Sequence, residues 1–135
     1  MSRSGYDDEC NGWDLVRWRG AVASAMNGHR GQRLLSELLA AMDAMPSKRL
    51  IKYELVREGS YCALGVVGAA RGIDMESIDP DESDQVSMAF DIAEAMAKEI
   101  VWVNDEAGWN ETPEQRWIRV RKWVGDHINQ PQHDA

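Results

Sequence analysis

The sequence predicts an all-α or mainly α protein, a single domain of five to six helices, and three observations point there. Leu34, Leu35, Leu38, Leu39, Met42 and Met45 recur at helical spacing and stop before Pro46. Thr112-Pro113-Glu114-Gln115 has the residue order of a capped helix start, with Gln three positions after the cap and Pro at the first helical position. A length of 135 residues suits one ordinary domain.

The elements follow in order. Leu15, Trp18, Val22, Ala25 and Met26 share one helical face, which predicts a helix over 14–27 stopped by Asn27-Gly28. The leucine-rich helix follows over 31–45. Segment 49–56 suits a short helix or a short strand equally, so one short strand pair near 49–62 is an option before or around the Glu58-Gly59-Ser60 turn. Cys62 to Arg71 is small and apolar; its Gly65 and Gly68 permit close approach to a neighbour, and Gly72 supplies a stop. After a loop with Asp79-Pro80, Ser83 or Asp84 can cap a helix carrying Val86, Met88, Ala89 and Phe90. A break near Asp91-Ile92 leads to a helix carrying Met96, Ala97, Ile100, Val101 and Val103 and ending near 105. The last helix lines Trp117, Val120, Val124 and Ile128 along one face. The organisation is an acidic N-terminal arm over 1–12, a helical domain over 13–128 and a polar, flexible tail over 129–135.

Charge is the most informative feature. The net charge is −8, and it is unevenly spread. Residues 74–111 hold twelve acids against Lys98 alone, whereas residues 13–58 hold eight bases against five acids. Such a chain should carry a dipolar surface. No apolar run approaches the ~18 residues that a membrane helix requires. Two cysteines, Cys10 and Cys62, are too few for a disulfide framework and read as reduced thiols. The start of the chain carries acid where a secretory signal carries base and an apolar stretch, so the expected location is cytoplasmic.

Most candidate sites fail on chemistry. Asp79-Pro80-Asp81-Glu82-Ser83-Asp84 opens like a calcium loop but has Asp84 at the sixth position and Phe90 at the twelfth, where Gly and Glu are needed. His29, His127 and His133 lack zinc-ligand spacing. Gly65, Gly68 and Gly72 match no nucleotide fingerprint. Cys62 has no identifiable histidine partner, and the adjacent Asp105 and Glu106 point about a third of a turn apart on a helix. The expectation is no metal, no cofactor and no catalytic residue. Residues 85–100 have the pattern of a helix-turn-helix, yet the second helix would present Glu94 and Glu99 with only Lys98 to phosphate, which opposes DNA reading. Trp18 and Trp117 fall on apolar faces; Trp109 and Trp123 fall off them and are candidates for an exposed aromatic contact.

Several strings carry a family resemblance: Trp18-Arg19-Gly20-Ala21-Val22, Gly31-Gln32-Arg33, Cys62-Ala63-Leu64-Gly65, Arg71-Gly72-Ile73-Asp74, Asn104-Asp105-Glu106 and Glu111-Thr112-Pro113-Glu114-Gln115-Arg116-Trp117. Over about 12–124 the chain resembles a family of small, functionally uncharacterised phage and prophage proteins. The resemblance brings no active site or ligand. It implies an accessory protein in a bacterial cytoplasm during infection or lysogeny, where small acidic proteins inhibit host enzymes that handle nucleic acid.

The expected function is therefore that of a non-enzymatic interaction protein of the anti-CRISPR or anti-restriction type, a nucleic-acid mimic facing a host protein with a basic groove. The partner-binding residues would be Asp79, Asp81, Glu82, Asp84, Asp91, Glu94, Glu99, Asp105 and Glu106, with Trp109 and Trp123. The alternative is a nucleic-acid-binding or regulatory protein using Arg17, Arg19, Arg30, Arg33, Lys48 and Lys52, and the third reading is a small enzyme.

Overall fold

The leucine-rich segment is the central helix of the core: Leu34, Leu35, Leu38 and Met42 are fully buried on it. The structure is a computed structural model that describes the backbone of residues 12–129 and the side chains of residues 17–129. The expected arm over 1–12, save Gly12, the tail beyond 129, and Cys10 lie outside the described residues.

Among the described residues there are six helices and one small hairpin: α1 (Gly12–Asn27), α2 (His29–Ala44), β1 (Val56–Arg57), β2 (Ser60–Tyr61), α3 (Ala63–Arg71), α4 (Ser83–Phe90), α5 (Glu94–Asp105) and α6 (Pro113–His127), with a 3-10 turn at Met75–Ser77. The protein is mainly helical. Two helices act as hubs, because α2 packs on α1, α3 and α6 while α5 packs on α1, α3, α4 and α6. Phe90, Leu64, Val67, Met96, Ile100 and Val103 fill the space between them and belong to one apolar cluster with the α2 leucines. Burying such side chains contributes about 1.5–3 kcal/mol each, which is what holds short helices that would be marginal alone.

The helix boundaries agree with the sequence reading within two residues, and the caps explain them. Thr112 Oγ1 accepts the Gln115 N–H at 3.1 Å while Gln115 Oε1 accepts the Thr112 N–H at 2.8 Å, the reciprocal pair anticipated from the residue order. Gly72 closes α3 in the left-handed conformation. Asp91, with φ 55°, ends α4. Cys62 is buried and caps α3, its Sγ accepting the Gly65 N–H at 3.4 Å.

The short strand pair that the sequence offers near 49–62 is present, and one detail, the start of α4, differs from the sequence reading. Segment 49–56 is not a helix: residues 51–55 are irregular, and only Val56 and Arg57 pair, antiparallel with Tyr61 and Ser60. The turn between the strands has Glu58 and Gly59 both at positive φ, the combination a two-residue hairpin demands. Neither Ser83 nor Asp84 caps α4. Glu82 occupies the cap position without a side-chain bond, and Ser83 Oγ instead donates to Glu94 Oε1 at 2.7 Å, tying the starts of α4 and α5 together.

Close backbone approach at α3 depends on Gly65. A Cβ there would lie 1.9 Å from the Leu55 carbonyl oxygen, which also accepts the Cys62 N–H at 3.2 Å. Gly125 in α6 has open space around it. Gly65→Ala should therefore destabilise the fold by about 1–3 kcal/mol through overpacking. Gly125→Ala should stabilise it by about 0.5–1 kcal/mol by removing glycine's backbone freedom from a helix. Urea denaturation of both variants checks the opposite signs.

Candidate interaction surface

The acidic residues fall into three environments. In the first, burial rules out contact with a partner. Asp105, expected at the binding face, is only 8% exposed, and its Oδ1 accepts the Tyr53 N–H at 3.1 Å and the Asn104 side-chain amide at 2.9 Å. It supports the 51–55 loop rather than a surface, because its helix position faces the loop that crosses the end of α5. In the second environment the acids are matched by bases: Asp91 pairs with Arg30 at 3.0 Å, and Glu94 with Lys98 at 3.7 Å. Glu99, on α5, is half-buried and Glu106, just beyond it, is exposed.

The third environment is the connection from α3 to α4. Asp74, Glu76, Asp79, Asp81, Glu82 and Asp84 are all exposed, and among the described residues no ion pair neutralises any of them. Their hydrogen bonds are local: Asp79 Oδ1 accepts the Asp81 N–H at 3.0 Å, and Asp84 Oδ1 accepts the Gln85 N–H at 2.9 Å. Four of these six were expected at the site. Asp74 and Glu76, counted in the acidic run 74–111 but not among the named site residues, stand exposed beside them.

The two candidate tryptophans separate. Trp109, in the loop between α5 and α6, is 93% exposed. Trp123 is half-buried against the core, with its ring 4.6 Å from that of His127, so it is not the free aromatic contact expected. The ring packs against the apolar cluster and against His127, four residues further along its own helix.

The alternative basic site is not gathered into one patch. Arg30 and Arg33 lie in the first turns of α2, Arg30 on Asp91 and Arg33 against His29 at 2.9 Å. Lys48 lies at the other end of that helix, donating to the Met42 and Asp43 carbonyls, about 20 Å away along the axis. There its Nζ also sits 5.4 Å over the Trp117 ring. Lys52 sits 4.9 Å over the Tyr53 ring, and Arg17 and Arg19 are exposed on α1.

A polar clamp sets the position of the Trp109 loop. Glu111 receives Arg119 Nε at 2.9 Å and Nη2 at 2.6 Å, and lies 3.3 Å from Arg116 Nε. Arg119 Nη1 also donates to the Val103 carbonyl at 2.6 Å, while Arg116 Nη1 donates to the Leu50 carbonyl at 2.8 Å. Asn104 joins the same centre, accepting the Ala63 N–H at 3.0 Å and donating to the Ile51 carbonyl at 2.9 Å. A Cβ on Gly108 would stand 2.4 Å from the Glu111 carboxylate, so glycine is what lets that carboxylate turn inward. The hydrogen bonds from Arg119 hold the Glu111 carboxyl below its ordinary value against the opposing effect of burial, with the charges of Arg119, Arg116 and Lys52 adding to the lowering. None of this was apparent as a site in the sequence, where Glu111 reads as one acid among twelve.

The concave surface beside α3 is sparse in chemistry. An open groove of about 250 Å³ beside α3 is lined by Met45, Pro46, Arg49, Tyr61, Val66 and Ala69 among others, with no carboxylate, histidine or cysteine in its wall. Among the described residues no group of three or more His, Cys, Asp or Glu side chains is placed to hold a metal ion, and no helix is long and apolar enough to cross a membrane.

The clamp predicts an acid-sensitive component of stability. Because the Glu111 carboxyl is lowered from 4.5 in the fold, its contribution is complete above about pH 4.5 and is lost as pH falls through the lowered folded value. Glu111→Gln, which leaves Arg116 and Arg119 without their anion, should lose about 3 kcal/mol at pH 7. The difference from wild type should shrink below pH 4.5, as measured by thermal denaturation across pH.

Comparison of the chain with protein-family models, with curated proteins and with solved structures finds no match in any of the three.

Proposed function

We propose that this protein is a non-enzymatic interaction protein whose acidic segment 74–84 occupies a basic groove on a host protein that handles nucleic acid, and blocks it by mimicking the phosphate backbone. A defence nuclease of the CRISPR or restriction type is the target class that fits a phage-type accessory protein in a bacterial cytoplasm. One observation supports the reading above others: six exposed carboxylates within eleven residues have no ion pair among the described residues, while Glu37 and Asp43 of α2, Asp91, Glu94 and Glu111 are each matched by a base. Such a cluster repels itself, and a partner rich in arginine and lysine relieves that repulsion. Carboxylates accept from guanidinium with the same paired geometry as phosphate.

The test begins with recovery of a partner on the tagged protein from host lysate and continues with binding kinetics. The triple variant Asp81→Ser, Glu82→Gln, Asp84→Ser should associate about tenfold more slowly at low salt, and the difference should shrink as salt rises. Its unfolding midpoint should barely move, since Glu82 at the cap position makes no side-chain capping bond and surface changes of this kind cost under about 0.5 kcal/mol each. Undiminished association by the triple variant would refute the reading, as would a salt-sensitive shift of duplex DNA by the wild-type protein abolished by Arg30→Glu with Arg33→Glu.

A further inference from the structure

The aromatic rings of this protein are repeatedly used as seats for its own cations. Lys98 lies 5.2 Å from the Trp18 ring, Lys48 and Arg121 lie 5.4 and 6.0 Å from the Trp117 ring, and Lys52 lies 4.9 Å from the Tyr53 ring. Trp123 has the His127 ring against it. Of the two exposed rings among the described residues, Tyr53 and Trp109, only Trp109 is empty. It is 93% exposed, and among the described residues no cation or ring reaches it.

The loop that presents it is held at both sides. Gly108 is packed against the Glu111 carboxylate, Asn110 is in the left-handed conformation with φ 48°, and Glu111 is locked by Arg116 and Arg119. A ring offered on a fixed loop loses little conformational freedom on binding. The whole chain carries a charge of −8, which favours a cationic group over an anionic one at an open ring. Tryptophan is the best of the aromatic seats for a guanidinium.

We propose that Trp109 is a docking point for an arginine side chain of the protein partner, its open face stacking the guanidinium. This second contact lies beyond the far end of α5 from the start of α4, which Ser83 ties to Glu94, so it is separated from the acidic segment by about 16 Å along the helix axis. The proposal rests on the reading of the partner as basic, but its site is independent of residues 74–84.

The two can be separated with a single titration. The probe is a blocked pentapeptide with two arginines alternating with glycine, added to ¹⁵N-labelled protein, with the Trp109 indole N–H resonance assigned by its loss in Trp109→Phe. The arginine peptide should move that resonance saturably, the uncharged citrulline counterpart should bind about tenfold more weakly, and the movement should persist in the Asp81→Ser, Glu82→Gln, Asp84→Ser variant. Movement confined to the amides of 74–84 would overturn the Trp109 proposal and leave the acidic-segment reading standing. Movement at Trp109 with none at 74–84 would support the docking point and count against that reading. A hexathymidylate that moved the indole resonance as strongly as the arginine peptide would overturn the proposal, since the ring would then be a nucleobase platform.

Discussion

The carboxylate of Glu111 is the anion on which one whole end of the molecule depends. Arg116 is buried, Arg119 is partly so, and neither guanidinium could remain there without an opposite charge. With Glu111 in place, their remaining N–H groups are free to bond backbone: Arg119 satisfies carbonyls at the end of α5, and Arg116 satisfies the Leu50 carbonyl in the loop after α2. Three segments distant in sequence are thereby fastened: the 49–55 loop, the C-terminal turn of α5 and the first turns of α6. Asn104 and Asp105 complete the joint, since the irregular 51–55 stretch has backbone groups that no helix or sheet satisfies.

Elsewhere the two signs of charge meet along α2. Arg30 reaches Asp91 beyond α4, Glu37 meets Arg71 of α3, and Asp43 meets Arg121 of α6. Each is at least partly exposed and so individually weak. Of the eight bases in residues 13–58 they occupy Arg30 alone, and of the twelve acids in residues 74–111 Asp91 alone, so the uneven spread of charge in the sequence persists in the folded chain.

Aromatic display follows from the same clamp. Tyr53 holds φ 75°, a conformation that a bulky side chain adopts only under constraint, and the Asp105 carboxylate on its N–H is that constraint. The ring is left half in solvent with Lys52 over it. Trp109 emerges from the neighbouring loop, between Gly108 and Asn110. Buried polar groups here position exposed rings, so the joint and the surface above it are parts of one arrangement.

By itself the sequence determined the helices and most of their ends. The leucine face of α2, the Thr112 capping box and the Gly72 stop depend on residues within about four positions of one another, and such signals are complete in a short window. The resolution of 49–56 into a loop and hairpin was beyond that window, because its backbone partners are Asn104, Asp105 and Pro113. The start of α4 was decided in the same way, when Ser83 turned to Glu94 instead of capping its own helix. Asp105 and Glu106 show the limit most sharply: adjacent acids of like chemistry, one buried under the 51–55 loop and one in solvent. Which acids are matched and which stand open depends on pairs such as Arg30 with Asp91 and Arg121 with Asp43, 61 and 78 residues apart. Local periodicity carries no information about such distances, so the sequence set the run of negative charge and tertiary packing decided which of its members are matched.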